Sequence, residues 1–156
     1  MASVVPIAAN TLGVDIDTPL SGNVASCLNS NSRIFCGRYI PLSGQTCGSN
    51  VDCLTAAEAG YLTEYGVAVL VIQHGRTTVY TSDSDAETYG TNDAAAAVTY
   101  LSQIGAPAGL YVYVDVENGN SSVDENSHYA TAWANYIAGH GSYYPALYSG
   151  SCMTVP

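Results

Sequence analysis

Apolar positions in this chain come in short runs that switch between two periods. Residues 12–16 (LGVDI) read as a strand, and residues 33–40 (RIFCGRYI) as a second. Residues 67–74 (VAVLVIQH) are continuously apolar, as in a strand whose sheet is covered on both faces. Residues 109–117 (GLYVYVDVE) form a fourth strand and residues 145–150 (PALYSG) a fifth. Between them the period lengthens. Residues 21–31 predict a weak helix with Val24, Cys27 and Leu28 on one face. Residues 55–66 predict a strong one: Thr55 and Glu58 have capping-box spacing, Leu54, Tyr61, Leu62 and Tyr65 recur at helical spacing, and Gly66 suits the C-terminus. A long polar loop follows, then a helix over residues 92–105 closed by glycine. The last helix, residues 122–141, has a second capping box (Ser122 and Glu125) and a buried face of Tyr129, Trp133, Tyr136 and Ile137. Strands alternating with helices imply parallel pairing through right-handed crossovers. The pattern shows no repeat and no linker. It predicts one α/β domain over residues 12–156 behind a short extension, residues 1–11.

The polar residues sort by their place on these elements. In parallel α/β folds, reactive groups sit at the carboxyl ends of strands. Asp15 and Asp17 end the first strand, Arg38 the second, Gln73 and His74 the third, Asp115 and Glu117 the fourth, Tyr148 and Ser149 the fifth. Side chains alternate along a strand, so Tyr111, Tyr113, Asp115 and Glu117 share one face. Four carboxylates at one mouth push each other's proton affinities apart, and a carboxylic acid beside a carboxylate is what glycosidic bond cleavage needs. Two other readings stand beside this one. Asp115 and Glu117 are also what a solvated strand end looks like, and oxygen ligands suit calcium or magnesium. No histidine joins the acids at ligand spacing, so neither a metal nor another cofactor is expected.

Composition narrows the classes. Hydrophobic residues make up 47% and charged residues 10%, which excludes disorder. The longest apolar run is too short to span a membrane. The formal charge is −10, with three arginines (Arg33, Arg38 and Arg76) and no lysine, so the chain repels phosphate backbones and no nucleic-acid partner is expected. Thirteen tyrosines stand against one phenylalanine, a balance that suits wet carbohydrate clefts, although most such rings serve as half-buried core. None of the five cysteines is paired at CxxC spacing, and Cys47 and Cys53 flank a polar loop that a short disulfide would close. These features predict an extracellular, secreted protein, although residues 1–13 lack the basic start and long apolar core of a signal peptide. Asn120, Ser121 and Ser122 form a glycosylation sequon.

An ordered set of segments carries a resemblance: GVDIDTPLS, FCGRYI, LTAAEAGYLTEYGVAVLVIQ, YGTNDAAAAVTYLSQIGAPAG, LYVYVDVE and YYPALYSG. Together they resemble the glycoside-hydrolase-like domain family and, more distantly, the family 25 lysozymes, over residues 12–150. The resemblance implies a TIM-type β/α barrel that acts on or binds cell-wall polysaccharide such as peptidoglycan. It implies that Glu117 is a general acid, that Asp115 orients or stabilises the substrate's N-acetyl group, and that Asp15 is a supporting carboxylate. Asp17, Arg38, Gln73, Tyr113 and Tyr148 are the implied substrate contacts. Asp93 matches a characteristic family aspartate, yet by position it reads as a first-turn acid on a helix dipole. The acids of residues 82–87 read as a solvated loop able to rim the cleft. A full barrel takes at least about 200 residues. Five strands therefore predict a fragment or a reduced barrel, which would self-associate through its open edges and leave Cys152 without its partner. The alternatives to a hydrolase are a non-catalytic carbohydrate-binding or cell-surface module with the same cleft, and a truncated product without activity.

Overall fold

The computed structural model describes residues 4–49, 51–117 and 121–149. Elements alternate as β1 (Gly13–Asp15), α1 (Gly22–Ser30), β2 (Phe35–Ile40), α2 (Ala56–Glu64), β3 (Ala68–Gln73), α3 (Asp83–Gln103), β4 (Tyr111–Asp115), α4 (Val123–His140) and β5 (Tyr144–Tyr148). All five strands are parallel and lie in chain order. A doubly wound sheet would reverse its order at a switch point; this one does not.

Register and alternation divide the sheet into two faces. On the outer face, Ile40, Val71, Val112, Val114 and Val116 pack under Ala94, Ala97 and Leu101 of α3 and Tyr129, Trp133 and Ile137 of α4. A smaller cluster joins Cys36 and Val67 to Ala25 of α1 and Leu62 of α2. The inner face, with Asp15, Gly37, Leu70, Tyr113 and Tyr148 among its residues, carries no helix among the described residues. The expectation that β3 is helix-covered on both sides is therefore corrected. Its inner residues are instead sheltered by curvature. Tyr148 on edge strand β5 donates to Asp15 on the opposite edge strand β1 at 3.1 Å, so the sheet curls until its rims meet. Beneath that contact lies a cavity of about 220 Å³, lined by Gly13, Phe35, Gly37, Leu70 and Ile72.

The helices depart from expectation in instructive ways. α3 starts at Asp83, not at residue 92, so the acids of residues 82–87 are its first turns rather than a cleft-rimming loop. Ser82 caps it by accepting from the Asp85 N–H at 3.2 Å. Gly90, which weakens the helical signal, is there for packing: a Cβ on it would sit 2.3 Å from the Tyr129 carbonyl oxygen of α4. In α1 the buried residue is Ala25, while Val24 and Cys27 are exposed. In α2 the expected apolar stripe is half right, with Leu54 and Leu62 buried but Tyr61 and Tyr65 exposed. Thr55 caps α2 through the Glu58 N–H at 3.1 Å, but the Glu58 carboxylate turns inward to Arg38 instead of closing the box. The Ser122–Glu125 box of α4 forms in full, and Tyr129, Trp133 and Ile137 are buried as its pattern predicts. Cys47 and Cys53 are bonded, closing the loop between β2 and α2. Cys152 and Asn120 of the sequon lie outside the described residues.

Candidate functional site

The carboxyl ends of the strands bring the acids together. Parallel pairing sets Asp15 beside Gly37 and Asp115 beside Tyr148, all on the inner face. Asp15 Oδ2 accepts two phenol hydrogen bonds, from Tyr39 at 2.9 Å and from Tyr148 at 3.1 Å. Each of these phenols is held in its donating form. Burial, followed by the Asp15 hydrogen bond, raises the pKa of Tyr39; the Asp15 hydrogen bond itself is the main cause for Tyr148. Tyr39 also stacks on His74, ring centroids 4.6 Å apart. Burial lowers the His74 pKa, and its buried Nε2 has no hydrogen-bond partner among the described residues.

Asp115 is the most perturbed acid of the group. Its pKa is pushed up to about 6, first by burial, then by the charges of Glu117 and Asp15, against a backbone hydrogen bond from Gly75. Its Oδ1 is buried without a hydrogen-bond partner among the described residues. Gly75 is part of the fit, since a Cβ there would lie 2.9 Å from Asp115 Oδ2. Glu117 is exposed at the rim, and Asp17, also exposed, lies close enough to His74 to act on its charge. Tyr113 is half-buried on the same face as Asp115. The mouth thus holds a carboxyl that keeps a proton to unusually high pH, an exposed carboxyl two residues on, and a third carboxyl pinned by two phenols. That set can donate a proton to a leaving oxygen and oppose positive charge that develops nearby.

Two of the expected contact residues sit behind the sheet instead. Arg38 is fully buried on the outer face. Its Nε donates to Glu58 Oε1 at 2.7 Å, its Nη2 to Oε2 at 3.3 Å and its Nη1 to the Ile16 carbonyl. Gln73 is equally buried, donating to the carbonyls of Pro41 and Asp93, each at 2.8 Å, and accepting from Trp133 Nε1. Neither presents a polar atom to the mouth; both hold the loops that shape it. Asp93 is likewise not a first-turn acid. It lies mid-helix in α3, fully buried, and makes two hydrogen bonds to Arg76 at 2.6 and 2.7 Å. It also accepts from the Ser43 N–H and hydroxyl and from the Tyr129 phenol.

Sequence reasoning left Tyr39 and Glu58 out of the site and gave His74 no role. Alternation along β2 carried the signal for Tyr39, which falls two residues past Gly37 and so faces Asp15. Metal-ligating atoms gather elsewhere: Asp83, Asp124 and His128 offer atoms within 4.8 Å of one another at the exposed starts of α3 and α4. His128 Nδ1 already pairs with Glu87 at 2.9 Å.

Comparison with known proteins places this chain in a family. Residues 26–155 match the Rv2525c-like, glycoside hydrolase-like domain family, and the chain belongs to it. Among curated proteins none matches. A solved structure of an uncharacterized Bacillus stearothermophilus protein superposes with a TM-score of 0.65 at 23% identity, over 88% of this chain and 59% of that one. The Tat-secreted protein Rv2525c of Mycobacterium tuberculosis, solved with HEPES, gives 0.59 at 19% identity, over 84% and 65%. The catalytic domain of endolysin ply40 from Listeria monocytogenes bacteriophage P40 gives 0.55 at 15%, over 91% and 65%. At these identities the likeness is one of fold. This chain spans about three-fifths to two-thirds of the length of each.

Proposed function

We propose that this domain is a lysozyme-like glycoside hydrolase that cleaves cell-wall polysaccharide such as peptidoglycan, with Asp115 and Glu117 supplying the proton. The observation that carries this reading is the raised pKa of Asp115, about 6, caused by burial and by the adjoining charges of Glu117 and Asp15. Cleaving a glycosidic bond takes a proton for the leaving oxygen and negative charge beside the sugar ring that turns cationic. Asp115 holds its proton up to about pH 6, two residues from Glu117. Glu117, exposed at the rim, is the member that reaches the glycosidic oxygen and delivers it. Asp115 then stands alongside to orient the N-acetyl group, and Asp15 adds supporting charge. Asp17, Tyr113 and Tyr148 line the approach, while Arg38 and Gln73 act from behind the sheet as positioning residues. The scheme calls for no cofactor.

The same reading makes the sheet part of a TIM-type barrel. Strands in chain order, helices on one face and a contact between the two rims all support that. An extracellular site of action fits the Cys47–Cys53 disulfide and the secretion of Rv2525c. An open barrel edge would self-associate or pair with further strands.

The experiment is release of reducing ends from peptidoglycan and chitin oligosaccharides between pH 4 and pH 8. Wild type should turn over with a rate that falls as pH rises through about 6, where Asp115 loses its proton. Glu117→Gln should lose at least about 100-fold while staying folded. A folded wild type that releases no sugar sinks the hydrolase reading. A second reading, a carbohydrate-binding module, is favoured by the tyrosines on the inner face, Tyr39, Tyr113 and Tyr148. It predicts sugar binding that Tyr113→Ala weakens, with no product at any pH.

A further inference from the structure

The two phenols on Asp15 raise a question that the proposed reaction leaves open. They come from different strands: Tyr39 from β2, next to β1, and Tyr148 from β5, at the far edge of the sheet. Both donate to the same oxygen, Oδ2. Two hydrogen bonds on one oxygen, at 2.9 and 3.1 Å, restrict the group in two directions. The flat stack of Tyr39 on His74 restrains that phenol in turn. Across the mouth, the buried Asp115 Oδ1 has no hydrogen-bond partner among the described residues, so nothing described ties its proton to a fixed acceptor. Burial acts first on that proton, and the charges of Glu117 and Asp15 act after it.

We propose that Tyr39 and Tyr148 are positioning residues, a two-phenol clamp that fixes the Asp15 carboxylate in the mouth and through it governs where the proton of the Asp115–Glu117 pair resides. The clamp deepens the hydrolase reading and rests on it for its purpose, but not for its test. Charged and titratable groups face the mouth from every strand: Asp15 and Asp17 from β1, Tyr39 from β2, His74 after β3, Glu117 after β4 and Tyr148 from β5. Arg38 lies behind the sheet with its charge matched by Glu58. Within this set Asp15 is the carboxylate held from two sides, by the adjacent strand β2 and the far edge strand β5. Its distance from Asp115 is therefore built into the sheet, whereas Glu117 lies exposed at the rim. Releasing the clamp lets Asp15 swing outward, and its repulsion of the ionised Asp115 weakens.

The test is a carbon-detected NMR titration of the Asp115 carboxyl in the full chain, across pH 3 to pH 9. Wild type, Tyr39→Phe, Tyr148→Phe, the double variant and Asp15→Asn are compared, with Tyr113→Phe as control. The phenylalanine variants keep every ring, and circular dichroism reports whether each is folded. The clamp predicts that the Asp115 midpoint falls from near 6 by about half a unit to one unit in the double variant. It also predicts a similar fall in Asp15→Asn and none in Tyr113→Phe. An unmoved midpoint in the double variant overturns the clamp, as does a shift in Asp15→Asn that neither single tyrosine variant shares. If the double variant does not fold, the single variants decide by the same criterion. The titration reads no turnover, so a shifted midpoint in a protein that releases no sugar upholds the clamp and sinks the hydrolase. Turnover with unmoved midpoints does the reverse.

Discussion

At the scale of single residues, Asp115 is an acid whose folded surroundings work against its charged form. A carboxyl whose pKa rises on folding holds more protons folded than unfolded at intermediate pH. Stability therefore falls as pH rises from about 4 to about 6, and the loss persists at neutrality. Asp115→Asn removes the charge. It should stabilise the protein at pH 7 by about 1 kcal/mol, discounted for the partial exposure of the group, and leave stability at pH 3.5 unchanged. Urea unfolding at the two pH values checks this; equal effects at both would show that the acid is not under strain. Asp93 is the opposite kind of acid. It accepts hydrogen bonds from Arg76, Ser43 and Tyr129, and so ties together α3, α4 and the loops after β2 and β3. Its spacing from the following alanines resembles a first-turn acid because nothing local betrays Arg76 or Ser43, which come from 17 and 50 residues away.

At the scale of elements, the crossing of α3 and α4 rests on a residue that local rules disfavour. Replacing a mid-helix glycine by alanine ordinarily gains about 1 kcal/mol of helix stability. At Gly90 the new methyl would meet the backbone of α4 at 2.3 Å, a contact no side-chain rotation relieves. Gly90→Ala should therefore destabilise by about 2 kcal/mol or more, read as a lower urea midpoint, and a gain in stability would mean that the helices do not cross there. The same residue explains why the first turns of α3 read as a loop in the sequence and only residues 92–105 as helix. A glycine between Tyr89 and Thr91 ends a helical pattern on propensity grounds, and only the partner helix supplies the reason to continue. The Ser122–Glu125 box was legible because both halves of it lie within four residues, whereas the Thr55–Glu58 box failed by half because Arg38, from another strand, outbids a local N–H for Glu58.

For the whole molecule, charge is the governing quantity. Of the three arginines, Arg38 and Arg76 are consumed in buried pairs with Glu58 and Asp93, so the surface is close to purely acidic. Self-repulsion of that surface works against the compact state and is screened by salt. The thermal midpoint should therefore rise with sodium chloride up to about 0.5 M, where the Debye length drops to a few ångströms. A midpoint that falls with salt would mean that surface attraction dominates instead. Curvature is the other global property. A hydrogen bond between residues 133 apart, on the two edge strands, needs the twist of all five strands to accumulate.

The sequence alone was enough to determine the alternation of strands and helices, their chain order, the acids at the strand ends, most of the α4 core face and the spacing that lets Cys47 and Cys53 bond. Each of these depends on periodicity or on neighbours a few residues apart. Tertiary structure alone decided which strand-end residues share the mouth. Arg38 and Gln73 project to the helix side, where buried partners from distant segments satisfy them, while Tyr39 and Tyr148 converge on Asp15 because the sheet curls. Proton affinity was decided there too. Asp115 and Glu117 are two residues apart on one strand, but burial under the loop at Gly75 and the charge of Asp15 are long-range facts, and it is they that set one acid apart from the other.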